Sequence, residues 1–199
     1  MKYPIAYIAC LILSGCRINS DTPPQNEKTI EPKKLEIGMV VDSLNGVYVF
    51  YNGEIGHIGQ RNTKNGYNIG LTFQCVEFVK RYYYEYFHHK MPDSYGNAKD
   101  FFDPNVKDGK LNAKRGLLQF SNPSKSKPKI NDLLIMDKTS SNPYGHVAIV
   151  SNVNNDEMEI IQQNPGPTAP SRARFAVFRT GNKYLVGNAR ILGWLRMKE

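Results

Sequence analysis

The spacing of apolar residues changes once along the chain, and this change predicts the order of the secondary structure. Apolar and polar residues alternate over residues 38–42 and 46–51, and Asn-Gly pairs separate and close these segments, as in short strands joined by tight turns. From Cys75 onward, apolar residues recur three or four positions apart, which predicts an amphipathic helix that ends before Pro92. We expect Thr72 to be its N-cap, which makes Cys75 the third helical residue.

The remainder of the chain predicts mainly strands. One further short helix is expected at residues 98–102, and residues 52–70 and 103–129 are expected to be mostly loop. Apolar runs predict strands at residues 132–137, 146–153, 157–164, 174–179 and 190–196. One helix ahead of several antiparallel strands predicts an α+β domain.

The first residues have the pattern of an export signal. A lysine after Met1 and an apolar stretch over residues 5–13 predict a signal peptide, because the stretch is far shorter than the ~20 residues that cross a bilayer. The ending Leu-Ser-Gly-Cys resembles the lipobox of bacterial lipoproteins, which implies that Cys16 carries lipid. The alternative is an ordinary cleavage site with an incidental cysteine.

The segment after Cys16 is polar, contains three prolines and carries mixed charge, which is typical of a flexible tether. We therefore predict a signal peptide at residues 1–15, a lipidated tether at 16–36 and one folded domain at 37–199. The protein is expected to be exported and anchored by lipid to the bacterial cell envelope, on its periplasmic or surface side.

Composition and charge narrow the partners only slightly. Hydrophobic residues make up 40% and charged residues 22% of the chain, which is typical of a globular protein. The formal net charge of +8 favours anionic partners, including nucleic acid, phospholipid and cell wall. Since the basic clusters lie in polar, proline-containing stretches and no nucleic-acid motif is present, we expect no nucleic-acid partner. We expect a monomer.

Cysteine usage singles out one residue of the folded part. Two of the three cysteines fall within the first sixteen residues, so Cys75 has no partner for a disulfide in the predicted domain. At a helix start, unpaired N–H groups and the positive end of the helix dipole stabilise a thiolate and lower the pKa of the thiol. The alternative is a small buried side chain on the apolar face of the helix.

Among the four histidines, only His146 occupies a position suited to catalysis. His57 lies in a predicted loop, and His88 and His89 lie at the end of the predicted helix, where we expect exposed side chains. His146 opens a predicted strand directly after Tyr144-Gly145, so a rigid sheet can hold its imidazole. No cysteine or histidine pair has the spacing of metal ligands, and we predict neither a metal nor a cofactor.

A hairpin predicts the partner of this histidine. If the strands on either side of a loop at residues 153–155 pair, then Val150 faces Met158 and His146 faces Gln162. The amide oxygen of Gln162 can accept the imidazole N–H and fix the tautomer. A shift of two residues would bring Asn164 opposite instead, so Asn164 is the reserve candidate.

Five segments resemble the cysteine- and histidine-dependent amidohydrolase/peptidase (CHAP) family. They are FQCVEFVKR at 73–81, KINDLLIM at 129–136, YGHVAIV at 144–150, IQQN at 161–164 and ILGWL at 191–195. The resemblance implies a papain-like fold, in which a helix bearing the nucleophile packs on an antiparallel β-sheet. Within this family, the sequence resembles the amidase half of glutathionylspermidine synthetase/amidase.

The resemblance also implies roles for individual residues. Cys75 matches the nucleophile, His146 the general base, and Gln74 a residue that helps the backbone N–H of Cys75 to hold the oxyanion. Gln162 occupies the position of the usual acidic residue, where an amide can orient the imidazole but cannot stabilise its positive charge.

These roles imply a cysteine amidase or peptidase. Because the protein is expected to be exported, we predict hydrolysis of peptidoglycan amide bonds rather than of glutathionylspermidine, which is a cytoplasmic substrate. The alternatives are a glutathionylspermidine-type amidase and a catalytically inactive lipoprotein that binds the cell wall, which the glutamine at position 162 makes conceivable.

Overall fold

One central helix and a larger set of antiparallel strands make up the part of the chain that the structure describes. The computed structural model describes residues 34–53 and 56–198. Within them lie α1 (Cys75–Tyr86), a 3₁₀ helix (Ala98–Phe101) and the strands β1 (Val40–Leu44), β2 (Val47–Phe50), β3 (Arg61–Lys64), β4 (Tyr67–Leu71), β5 (Lys110–Asn112), β6 (Leu117–Ser121), β7 (Leu133–Met136), β8 (His146–Val153), β9 (Glu157–Ile161), β10 (Arg172–Thr180), β11 (Lys183–Val186) and β12 (Ile191–Arg196). The described part is therefore mostly β-sheet with one α-helix.

Eight strands form a single antiparallel sheet in the order β11-β10-β9-β8-β7-β12-β6-β5. The sheet curls, because Ser124, just beyond β6, pairs with Tyr184 in β11. Apolar side chains from one face of the sheet, including Ala148 and Trp194, cluster with Val177 of β10. The central strands β7 and β8 are thus buried on both faces, which explains their nearly continuous apolar sequences.

The helix α1 packs against β8, β4 and β2. Its side chains Val79, Tyr82 and Tyr83 are fully buried, and each apolar side chain removed from water contributes roughly 1.5–3 kcal/mol. The two tyrosine hydroxyls donate to Asn131, at 2.7 and 3.0 Å, so their polar ends have partners. Tyr86, which the same spacing places on this stripe, is exposed. The packing holds the first turn of α1 against the sheet.

The helix begins later than the sequence predicts. Its first residue is Cys75, its N-cap is Gln74, and no side chain caps it. Thr72 instead closes the hairpin of β3 and β4, since its backbone N–H and its hydroxyl both donate to the carbonyl of Gln60. Phe73 has a left-handed backbone with φ +62°, which a right-handed helix cannot contain. Cys75 is therefore the first helical residue and not the third.

Two segments that we expected to be loop contain strands. Residues 52–70 include β3 and all of β4 except Leu71, and residues 103–129 include β5 and β6. The sequence of β3, Arg-Asn-Thr-Lys, has no apolar alternation, because this short strand buries little of its surface. The Asn65-Gly66 turn between β3 and β4, both of whose residues have positive φ, was the available signal of a hairpin.

The predicted register of the hairpin between β8 and β9 is wrong by two residues. Val150 lies opposite Ile160 and not Met158, a bulge follows Val150, and β9 ends at Ile161. Beyond the bulge the shift is three residues, since Asn152 lies opposite Glu159. Because side chains alternate between the two faces of a sheet, the shift of two residues keeps the side chains from His146 to Val150 on the same face as their predicted partners. His146 and Gln162 therefore remain on the same face.

Several predictions concern residues outside the described part of the chain. These are the signal peptide, the lipidated Cys16 and most of the tether. Within residues 34–53 and 56–198, no helix has the length and apolar character needed to span a membrane.

Candidate active site

The sulfur of Cys75 lies at the junction of helix and sheet. Cys75 is partly exposed, and the backbones of Val147, Val76 and Cys75 itself form hydrogen bonds with the sulfur. Burial raises the pKa of the thiol above its ordinary value, and these hydrogen bonds lower it by less. The predicted lowering of this pKa at a helix start is therefore wrong, because desolvation of the thiolate outweighs the N–H groups. Cys75 is a neutral thiol at rest.

His146 is buried and oriented by two successive hydrogen bonds. Its Nε2 lies 3.0 Å from Oε1 of Gln162, and Nε2 of Gln162 donates to the carbonyl of Pro170 at 3.1 Å. A carbonyl only accepts hydrogen bonds, so Pro170 fixes which end of the Gln162 amide faces the imidazole. The oxygen of Gln162 therefore accepts the Nε2 hydrogen of His146. This tautomer leaves Nδ1 of His146 unprotonated.

The imidazole is neutral at neutral pH. Burial, together with the nearby positive charge of Arg190, lowers the pKa of His146 from 6.5 to about 4, although the hydrogen bond with Gln162 acts in the opposite direction. With the pKa of the Cys75 thiol raised, both groups are uncharged together. The site thus contains a thiol and a free imidazole nitrogen, which is the pair needed for general-base activation of a nucleophile.

The backbone conformation and the small size of Gly145 determine where β8, the strand that carries His146, begins. Its φ is +76°, and a Cβ at this position would lie 2.6 Å from the carbonyl oxygen of Met136 and 3.0 Å from the backbone nitrogen of Lys99. Any other residue would move the strand end. Asn142 holds this turn from the other side, donating its Nδ2 to the carbonyl of Gly145 at 2.9 Å.

The side-chain amide of Gln74, the residue before Cys75, pairs with that of Asn164. Oε1 of Gln74 accepts from Nδ2 of Asn164 at 2.7 Å, and Nε2 of Gln74 donates to the carbonyl of His57 at 2.8 Å. An amide nitrogen carries two hydrogens, so one N–H of Gln74 is left for a further acceptor. Asn164, the reserve partner for the imidazole, contacts Gln74 and not His146.

Gln163 is a buried connection between the helix start and the sheet that the sequence reasoning missed. Its Nε2 donates to the carbonyl of Gln74 at 3.0 Å and to Oε2 of Glu77 at 2.9 Å, and its Oε1 accepts from the backbone of Phe50 at 2.8 Å. Glu77 also forms a buried ion pair with Arg81 at 2.6 Å. The spacing of Glu77 and Arg81, four residues apart on a largely apolar helix, was the available signal.

The other histidines lie elsewhere. His88 is exposed, as expected, but His57 and His89 are half-buried, and Nε2 of His89 lies 2.8 Å from the carbonyl oxygen of Arg115. Within the described part of the chain, no group of three or more His, Cys, Asp or Glu side chains is arranged to hold a metal ion.

A comparison with known protein families identifies the family of this chain. Residues 62–164, just over half of the chain, match the CHAP domain. The chain belongs to the CHAP domain family. The matched segment starts in β3, ends at Asn164 and includes Gln74, Cys75, His146 and Gln162. The match supports an amidohydrolase-type function for this CHAP domain. An amidohydrolase is a hydrolase, so the match supports this enzyme class as well.

The similarity to individual relatives covers different shares of this chain. Trypanothione synthetase from Crithidia fasciculata is 27% identical over 136 residues, which are 67% of this chain and 21% of the relative, so the match spans about a fifth of that protein. The crystal structures of Ly7917, alone and with the hydrolyzing product of MDP, are 27% identical with a TM-score of 0.26. They cover 38% of this chain and 30% and 31% of theirs.

Proposed function

We propose that this CHAP domain hydrolyses amide bonds through an acyl-enzyme on Cys75, with His146 as the general base and a papain-like arrangement of the two. The observation that carries the proposal is the orientation of His146. Its Nε2 is engaged by Gln162 and its Nδ1 is free, while Val147, the next residue, lies against the sulfur of Cys75.

Each group has a defined part in the reaction. As the sulfur attacks the carbonyl carbon, Nδ1 of His146 takes the thiol proton and an S–C bond forms. The resulting oxyanion accepts hydrogen bonds from the backbone N–H of Cys75 and the remaining N–H of Gln74. The C–N bond then breaks, and the imidazolium gives its proton to the leaving amine. Water, deprotonated by the same imidazole, hydrolyses the thioester and restores the thiol.

Gln162 is suited to orient His146 without charging it. Its amide bridges the imidazole and the carbonyl of Pro170, and an ionised glutamate at this position would set two oxygens against each other. The imidazolium therefore forms only during the reaction, in place of a permanent thiolate–imidazolium pair.

We propose peptidoglycan peptide or amide bonds as the substrate. The support is the sequence of the first sixteen residues, since an enzyme exported and lipidated on Cys16 meets the cell wall. A second candidate is a glutathionylspermidine-type amide, which the similarity to trypanothione synthetase favours.

Digestion of purified sacculi separates these possibilities. Wild type should release muropeptides with new amine termini, detected by mass spectrometry, whereas Cys75→Ala and His146→Ala should release none. His88→Ala, at an exposed histidine, is the matched control and should behave as wild type. Hydrolysis of glutathionylspermidine without release of muropeptides would select the second candidate. Inactivity on both substrates would contradict the proposed hydrolysis.

A further inference from the structure

The peptide unit between Gln74 and Cys75 carries one of the two N–H groups assigned to the oxyanion. This N–H belongs to Cys75, the first residue of α1, where the helix offers no carbonyl of a preceding turn to accept it. It forms a hydrogen bond with the sulfur of its own residue, so it is directed to the side on which the S–C bond forms. Its direction therefore decides how well it can reach the oxyanion.

The carbonyl at the other end of the same peptide unit is held by Gln163. Nε2 of Gln163 donates to the carbonyl oxygen of Gln74 at 3.0 Å, and the backbone N–H of Phe78 donates to the same oxygen at 3.1 Å. A peptide unit is planar and trans, so its C=O and N–H point in opposite directions. The hydrogen bonds that fix the carbonyl of Gln74 therefore also fix the direction of the Cys75 N–H.

The neighbours of Gln163 allow its amide only one orientation. The side chain is fully buried, and its Nε2 lies between two acceptors, the carbonyl of Gln74 and the carboxylate of Glu77. Its Oε1 lies between two groups that only donate, the backbone N–H of Phe50 at 2.8 Å and Nη2 of Arg81 at 3.4 Å. An exchange of the amide oxygen and nitrogen would break all of these hydrogen bonds, so the donor stays directed at Gln74.

The hydrogen bond from Gln163 also strengthens the Cys75 N–H as a donor. Hydrogen bonds that share a peptide unit polarise one another, by about 10–30% per bond in condensed phases. A donor at the carbonyl of Gln74 draws electron density from the amide nitrogen of Cys75. The N–H is therefore more positive when the oxyanion forms.

We propose that Gln163 is a positioning residue for acyl transfer, which directs and polarises the Cys75 N–H through the carbonyl of Gln74. The proposal rests on the proposed function, in which this N–H is an oxyanion donor. Removal of a whole oxyanion donor lowers kcat by about 10²–10³-fold. Loss of the Gln163 amide leaves the N–H in place but weaker and less well directed, so the expected loss is about tenfold.

Two reactions of the same thiol test this role. Acetylation of Cys75 by p-nitrophenyl acetate passes through an oxyanion, forms an S–C bond and releases p-nitrophenolate, whereas alkylation by iodoacetamide displaces iodide and forms no oxyanion. Gln163→Met, which keeps the length of the side chain but not its hydrogen bonds, should slow acetylation about tenfold. Alkylation should change by less than about twofold, because the backbones of Val147 and Val76 also form hydrogen bonds with the sulfur.

Gln119→Met is the matched control. Gln119 is another fully buried glutamine, and it lies in β6, where its amide donates to the carbonyl of Asp103 and accepts from the side chain of Asn112. Its replacement removes a comparable set of buried hydrogen bonds, so it should lower the stability of the protein to a similar extent. Both reaction rates should stay as in wild type.

NMR of the ¹⁵N-labelled protein supplies a measurement that needs no reaction. The backbone ¹⁵N resonance of Cys75 responds to hydrogen bonds at the carbonyl of its own peptide unit, so it should move in Gln163→Met and stay in place in Gln119→Met. If Gln163→Met does not fold, Gln163→Glu takes its place. It keeps the length of the side chain and an oxygen for Phe50, and it should also slow acetylation about tenfold.

The outcomes separate the positioning role from the hydrolysis. Equal slowing of acetylation and alkylation, an unchanged acetylation rate, or no acetylation of wild type would overturn the positioning role. If wild type and Gln163→Met digest sacculi equally fast, the positioning role fails and the hydrolysis stands. If acetylation slows as expected while neither sacculi nor glutathionylspermidine is cleaved, the positioning role stands and the proposed amide hydrolysis fails.

Discussion

The buried, neutral state of His146 makes the stability of the protein depend on pH in a defined direction. The pKa of His146 falls from 6.5 to about 4 on folding. Between these values the unfolded chain binds a proton that the folded protein does not, so stability rises with pH across this window. The stability contributed by the neutral imidazole of His146 is therefore lost as the pH falls from 6.5 toward 4.

The size of this effect follows from the pKa difference. A difference of about 2.5 units corresponds to about 3 kcal/mol of stability between pH 7 and acid pH, of which about 2.5 kcal/mol is already lost at pH 4.5. This is a large fraction of the ~5–15 kcal/mol by which proteins of this kind are stable.

Chemical denaturation at a series of pH values measures the effect. We compare wild type with His146→Gln, which keeps a polar side chain but does not titrate, over pH 4.5 to 7.5. The free energy of unfolding of wild type should fall by about 2.5 kcal/mol more than that of His146→Gln. His88→Gln, at an exposed histidine, should follow the wild-type curve. Parallel curves for wild type and His146→Gln would refute the buried neutral imidazole.

Three further changes test the surroundings of the site. Gln162→Glu should raise the pKa of His146 from about 4 by more than one unit in an NMR titration, and an unchanged value would show that the two side chains do not interact. Asn164→Ala should lower kcat/KM about tenfold by releasing the Gln74 amide, with unchanged thiol alkylation; full activity would remove Asn164 from the site. Burial and neighbouring positive charges lower the pKa of Lys80 from 10.5 to about 8, so wild type should gain about 3 kcal/mol of stability as the pH rises through this range. Lys80→Met should not show this gain, and equal pH profiles would contradict it.

Local signals were sufficient to predict the candidate residues. The change of apolar spacing at Cys75 marked the helix, and the Gly145-His146 pair marked a strand that begins as predicted. The contact between His146 and Gln162 is present although the predicted register was wrong, because the error of two residues preserved the face of the sheet.

Features that depend on tertiary packing were not predictable in the same way. The pKa of Cys75 is raised by burial of its sulfur where the helix start meets the sheet, which the helix pattern does not reveal. The hairpin of β3 and β4 moved the helix start past Thr72, since its polar strands gave no apolar alternation. The hydrogen bond between Gln163 and Glu77 joins residues that lie 86 positions apart in the chain, which no local pattern reveals.

Three consecutive amide side chains directly after β9 each make a different contact. Gln162 contacts the imidazole of His146, Gln163 contacts the backbone carbonyl of Gln74 and the carboxylate of Glu77, and Asn164 contacts the side chain of Gln74. The insertion or deletion of one residue directly after Ile161 would move all three side chains away from their present contacts at once. A change in the length of the loop that follows β9 can therefore be accommodated only beyond Asn164.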